Sequence, residues 1–277
     1  MTLRQPSGIL PMHTNASRNM TSLLVASILL MAGCSLDTGV RFSLPFTGNC
    51  SRSLGLDDLS ALGPASSTQE LECGLTLVRT THNPELLRSA IGSRIALHLA
   101  ERNENAQQRE SLAHEGVRLA EQALSLGSAR DAAVHYYLAT NLGLAVHDHP
   151  VEAAHSLQRL ETEALQAVQL NPDLDGGGPM RLLGMLYLKA PAWPAGMGDG
   201  DKALDLLKQA VDKHPDHPLN QLFYAQALWE VEGESVLPQT RAACALGLER
   251  LEKGNWGFNR VPWRKEFAAF SKELNAD

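Results

Sequence analysis

The sequence predicts an all-α protein, an α-solenoid of repeated helix–turn–helix units. Three observations lead there. Leu (46) and Ala (34) make 80 of the 277 residues, whereas Ile (4) and Val (12) make only 16. Leu and Ala are strong helix formers, and the scarce β-branched residues are those that fill sheets. A small residue recurs inside Leu/Tyr-rich stretches at Ala96, Ala139, Gly184 and Ala225, at spacings of 43, 45 and 41. A second series, Ala123, Ala167 and Ala210, each followed by an apolar residue, has spacings of 44 and 43. Self-similarity at a fixed period marks stacked repeats, each too small to bury its own apolar face.

Residues 1–33 are expected to be a lipoprotein signal peptide. Ser22 to Gly33 form a 12-residue apolar run with Arg4 and Arg18 before it and no acid anywhere in residues 1–33. A membrane-spanning helix needs ~20 such residues, so the run has the length of a secretory h-region. It ends in Leu30-Met31-Ala32-Gly33-Cys34, which resembles the bacterial lipobox and makes Cys34 the expected lipid attachment site. Met1 and Met12 both remain as starts, since the stretch before the h-region is long. Cleavage before Cys34 leaves 244 residues and removes Arg4 and Arg18, so the formal charge moves from −7 to −9. Acylation then anchors the chain. Ser35 stands where an inner-membrane retention Asp is absent; by analogy the destination is the outer membrane, facing the periplasm.

Residues 34–83 are expected to be a tether and irregular N-terminal segment, because Gly, Ser, Pro and Thr break any helical period through about residue 60. In an exported, oxidising setting the three remaining cysteines bear on folding. Cys50 and Cys73 share this segment and offer a disulfide. Cys244 lies in a helical pattern and suits a small buried position.

Residues 84–277 are expected to be the helical-repeat domain with a C-terminal capping helix. In each unit a small residue on the first helix lets the second approach. The apolar residue three places on, Leu99, Leu142, Tyr187 or Leu228, fills the space beside it. Pro172 and Pro215 end second helices, since Pro cannot continue the ladder, and Asp199 or Asp201 caps the helix beginning near Lys202. Ten of the 14 aromatic residues lie at or beyond Tyr187. Trp263, Phe267 and Phe270 are spaced i, i+4, i+7 and share one helical face. That face suits a cap over the open end of the repeats, or else an oligomer contact.

The acidic balance excludes the basic footprint of a nucleic-acid binder. The sequence carries no Gly-x-Ser-x-Gly elbow and no His-Glu-x-x-His pair, so no enzyme activity, metal or cofactor is expected. His147-Asp148-His149 reads as a solvated turn before Pro150, and Asp173 to Gly178 as a turn between helices.

Leu183, Gly184, Tyr187, Ala203, Ala210 and Pro215 match the residue types of a tetratricopeptide repeat. The unit departs from the usual ~34 residues by an insertion around Ala190 to Gly196. With that insertion, Gly176 to Pro194, Gly198 to Leu204 and Pro218 to Ala225, preceded by Tyr136-Tyr137-Leu-Ala-x-Asn141, resemble the TatT family, the lipoprotein T components of TRAP transporters. The resemblance spans about residues 84–250. It implies tetratricopeptide-like hairpins and a periplasm-facing lipoprotein that binds the transporter's solute-binding protein. A small apolar ligand in a cavity or pore, and trimers, are also implied. An envelope scaffold unrelated to transport is the alternative reading.

Five residues are candidates for partner or ligand binding. Trp193, between Pro191 and Pro194, sits in a rigid inserted loop that either presents the indole or folds it back over the core. Arg181, Tyr187, Asn220 and Tyr224 lie on successive first helices, which line the concave face of such solenoids. Tyr187 also suits core packing, and Arg181 and Asn220 suit polar recognition.

Overall fold

The computed structural model describes Cys50 and residues 55–275. Cys34 and the expected signal peptide lie outside the described residues. Within them the protein is all-helical, with twelve α-helices and no β-strand. In chain order these are α1 (Leu56–Ala61), α2 (Thr68–Thr80), α3 (Pro84–Leu87), α4 (Ile91–Glu101), α5 (Ala106–Ser125) and α6 (Ala132–Ala145). Then follow α7 (Pro150–Leu170), α8 (Gly178–Lys189), α9 (Gly200–Lys213), α10 (Pro218–Glu232), α11 (Leu237–Lys253) and α12 (Arg260–Glu273).

From α4 to α11 each helix packs on the next, and α2, α4, α6, α8, α10 and α12 also touch in succession. These alternate helices therefore form one continuous row, whose inner members α4, α6, α8 and α10 are the more buried, while α2 and α12 bury only a stripe. Their sequences suit that position. In α6 nearly every residue from Ala132 to Ala145 is buried, Thr140 and Ala133 excepted. α9, by contrast, buries only Ala203, Leu207 and Ala210 and presents Lys and Asp on its other faces. A helix enclosed on several sides must be apolar nearly all round, and a surface helix needs only a stripe.

The small residues sit where helices meet. Ala96, Ala139 and Ala225 have no exposed surface, nor do Ala123, Ala167 and Ala210. At Gly184 a Cβ would come within 2.7 Å of Leu207 Cγ, the fully buried side chain across the α8–α9 contact. Gly184→Val is expected to force α8 and α9 apart and cost about 1–3 kcal/mol, read as a lowered urea midpoint.

Helix ends follow local chemistry. Asp199 accepts a hydrogen bond from the Lys202 N–H at 3.1 Å and starts α9. α7 and α9 stop at Leu170 and Lys213, just before Pro172 and Pro215. Part of the segment expected to be irregular is helical. Ser67 and Glu70 cap each other reciprocally at the start of α2, and Leu71, Leu75 and Val78 recur at helical spacing. Those three side chains bury against Ile95 and Leu99 of α4. Cys50 and Cys73 form a disulfide with Cα atoms 5.6 Å apart, which ties the chain before α1 to α2. Cys244 is reduced and buried, with its sulfur 3.6 Å from Ser271 Oγ.

At the other end, Trp263, Phe267 and Phe270 of α12 are all buried, together with Leu219, Leu222, Cys244 and Leu251 from α10 and α11. The apolar face is thus consumed within the chain. Glu266 lies on the same helix, half-buried, and burial alone pushes its carboxyl up to about 7, from an ordinary value of 4.5. Between those values the native state holds a proton that the unfolded chain releases, so stability falls as pH rises through this window. Glu266→Gln is expected to raise the melting temperature at about pH 8 and leave it unchanged near pH 4, where both states are protonated.

Candidate functional site

The inner row borders a cavity of about 580 Å³. Its wall is built from α4 (Arg94, His98, Glu101), α6 (Tyr136, Tyr137), α8 (Arg181) and the start of α10 (His217), and turns near both ends of the described chain cover it. The α4 residues lie at i, i+4 and i+7, so one helical face presents them together.

Arg181 is the most constrained of these groups, with 5% of its surface exposed. Its Nη1 donates to the Gly176 carbonyl at 2.7 Å and to Asn220 Oδ1 at 3.0 Å. Its Nη2 donates to the Asp175 carbonyl at 3.0 Å and to Asp175 Oδ2 at 3.1 Å. The same carboxylate oxygen accepts from the Tyr136 hydroxyl at 2.9 Å. This geometry depends on the turn before α8. Asp175, Gly176 and Gly177 follow one another with φ of 50°, 57° and 88°. Asp tolerates the left-handed region better than most residues, and glycine enters it without strain. The turn aims both oxygens of Asp175, carbonyl and carboxylate, at one guanidinium.

Burial sets the electrostatics of the cavity. Desolvation, with the Asp175 charge second, pushes the Tyr136 and Tyr137 phenols well above their usual range, so both stay neutral. Desolvation, followed by the Arg181 and His214 charges, holds His217 well below the usual imidazole value. Its ring lies 5.2 Å from that of Trp256 and 5.5 Å from that of Trp263, and its Nδ1 is buried without a hydrogen-bond partner among the described residues.

The cover is a junction between distant parts of the chain. The Phe258 N–H donates to the Pro64 carbonyl at 3.0 Å. Arg102, at the end of α4, donates to the carbonyls of Ser66 (2.7 Å), Pro64 (3.1 Å) and Gly63 (3.3 Å). Its guanidinium stacks 4.2 Å from the centroid of Phe258. Gly257 has φ 53°, and any Cβ there would overlap the Pro64 carbonyl. Arg102→Ala is expected to cost about 1–3 kcal/mol by removing these contacts. Faster hydrogen exchange at the Phe258 amide would report it.

Of the residues expected from sequence, Arg181 alone lines the cavity. Asn220 lies behind it, fully buried, with Nδ2 donating to the carbonyls of His214 (2.8 Å), Ala210 (3.0 Å) and Gly176 (3.1 Å). Tyr187 is buried, with its hydroxyl donating to Glu161 Oε1 at 2.8 Å across the α7–α8 contact. Tyr224 is half-buried and accepts from Gln239 Nε2 at 3.0 Å. Trp193 is 86% exposed on the inserted loop, which Gly198 N–H closes onto the Pro191 carbonyl at 2.7 Å. It does not fold back over the core.

Sequence reasoning missed Arg94, Tyr136, Tyr137 and His217 as cavity residues. The one signal for Arg94, Tyr136 and Tyr137 was a polar or aromatic side chain on a mostly apolar helix, and His217, in the turn before α10, gave none. Arg102 and the turns it ties gave no signal at all, because their contact joins positions nearly 200 residues apart. His147 Nδ1 lies 2.7 Å from Asp148 Oδ1, and Asp148 also accepts from Arg109 at 2.9 Å. The described residues contain no cluster of three or more His, Cys, Asp or Glu suited to a metal. None of their helices is long and apolar enough to cross a membrane. No family model matches the chain, and no curated protein matches it.

Proposed function

We propose that the protein is a lipid-anchored envelope protein, acylated at Cys34 and facing the periplasm from the outer membrane, that acts by binding and not by catalysis. Its hairpins are read as a tetratricopeptide-like solenoid of the TatT kind. The first partner to test is the solute-binding protein of a TRAP-type transporter, and a homotrimer is the assembly to look for. One observation carries the binding role: α4, α6, α8 and α10 all contribute to a single cavity large enough for a small molecule. The Cys50–Cys73 disulfide supports export, since such bonds persist in oxidising compartments. The exposed Trp193 provides a rigid contact point on the outside for a protein partner.

Mass spectrometry of partners cross-linked to the purified lipoprotein tests this reading. Recovery of a periplasmic solute-binding protein supports it. Recovery of envelope-assembly proteins alone overturns it in favour of a scaffold. For the anchor, Cys34→Ala should abolish labelling by a fatty-acid analogue, and a labelled variant contradicts the assignment.

A further inference from the structure

We infer that the cavity takes an anionic amphiphile, a small acid whose head group lies at Arg94 and whose flat apolar body packs among the cavity's aromatic rings. The inference rests on the cavity-binding reading above and gives it a ligand class. Both lining carboxylates are engaged: Glu101 lies 3.3 Å from His98 Nδ1, and Asp175 holds Arg181 and the Tyr136 hydroxyl. Arg94 is different. Its Nη2 donates to the carbonyls of Ser60 at 2.7 Å and Leu59 at 3.2 Å, which end α1. No carboxylate among the described residues lies within 4.0 Å of it, and its Nε is buried without any hydrogen-bond partner.

A guanidinium carries five N–H donors, and carbonyl dipoles answer only part of its charge. Leaving such a group half-buried without a counter-ion is costly, and an anionic head group relieves that cost through charge-assisted hydrogen bonds. The Tyr137 phenol beside it stays protonated through burial and offers a further donor. Around this polar end the wall is made of rings. Tyr136 and Tyr137 have centroids 5.0 Å apart, His217 and Trp256 5.2 Å, and Phe223 also lines the space. Such faces favour a flat apolar body by offset and edge-on contacts. A volume of about 580 Å³ suits a molecule of a few rings.

Two dyes with the same aromatic body test the assignment on the full chain: anilinonaphthalene sulfonate, which carries the acid, and N-phenylnaphthylamine, which lacks it. Fluorescence titration is expected to give one saturable site that binds the sulfonate at least ~10-fold more tightly. Arg94→Met should remove that preference while neutral-dye affinity stays within about twofold, and Arg94→Lys, which keeps the charge, should retain a preference for the sulfonate. Equal or tighter binding of the neutral dye by the unaltered protein overturns the inference and leaves the cavity reading standing. A sulfonate preference unchanged in Arg94→Met overturns the place of the head group. Binding of neither dye removes the cavity reading as well.

Discussion

Arg181→Met is expected to destabilise the protein by about 1–3 kcal/mol, read as a lowered urea midpoint with the slope unchanged. The size comes from what stays behind. Asp175 loses its ion pair while the turn still holds it against the Tyr136 hydroxyl, and Asn220 Oδ1 is left buried without its donor. Asp175 is exposed and regains water, so its share is the modest worth of a half-screened pair, and the larger part is the buried Asn220 oxygen left without its donor. Combining Arg181→Met with Asp175→Asn should therefore cost less than the sum of the two single changes, and a double-mutant cycle measures the difference. Additive costs would mean that Arg181 acts through its contacts with Gly176 and Asn220 and not through the carboxylate.

Phe267→Ala should cost more, about 3–5 kcal/mol, by a different mechanism. Phe267 is 1% exposed in the interface of α12 with α10 and α11. It packs so closely on α11 that a Cβ at Gly247 would lie 2.7 Å from its Cζ. Truncation leaves a void bounded by helices that cannot close over it. The loss is expected to be local first: amide protection should fall throughout α12 before it falls in α6. Because Trp263 of the same helix lines the cavity, dye binding should weaken in this variant as well. Full protection of α12 in Phe267→Ala would overturn the view that this face holds the end of the helical array.

The periodic features of the fold were legible in the sequence. Ala96, Ala139, Gly184 and Ala225 announced helix contacts because only a small side chain fits where two helices touch, and the structure places each of them there. The i, i+4, i+7 spacing of Trp263, Phe267 and Phe270 announced a buried face for the same local reason. The site was legible only in part. Arg181 and Asn220 stood out as polar groups on first helices, and the structure joins them in one hydrogen-bond network. Tyr187 and Tyr224 shared that signature, yet their hydroxyls are taken up by Glu161 and Gln239 away from the cavity. Helical period tells which residues share a face of their own helix but not which neighbour that face meets.

What the sequence determined by itself is therefore local and periodic: helix content, the small contact residues, the caps and stops at Asp199, Pro172 and Pro215, and an apolar terminal face. Each depends on residues within a few turns of one another, where backbone geometry fixes the spacing. Only the tertiary structure decided that the inner row borders a cavity, that Arg94 faces it with no carboxylate of the described residues within 4.0 Å, and that Arg102 draws the Pro64 and Phe258 turns together over it. Those contacts join residues far apart in the chain. Their geometry follows from how helices distant in the chain pack against one another, which no single stretch of sequence contains.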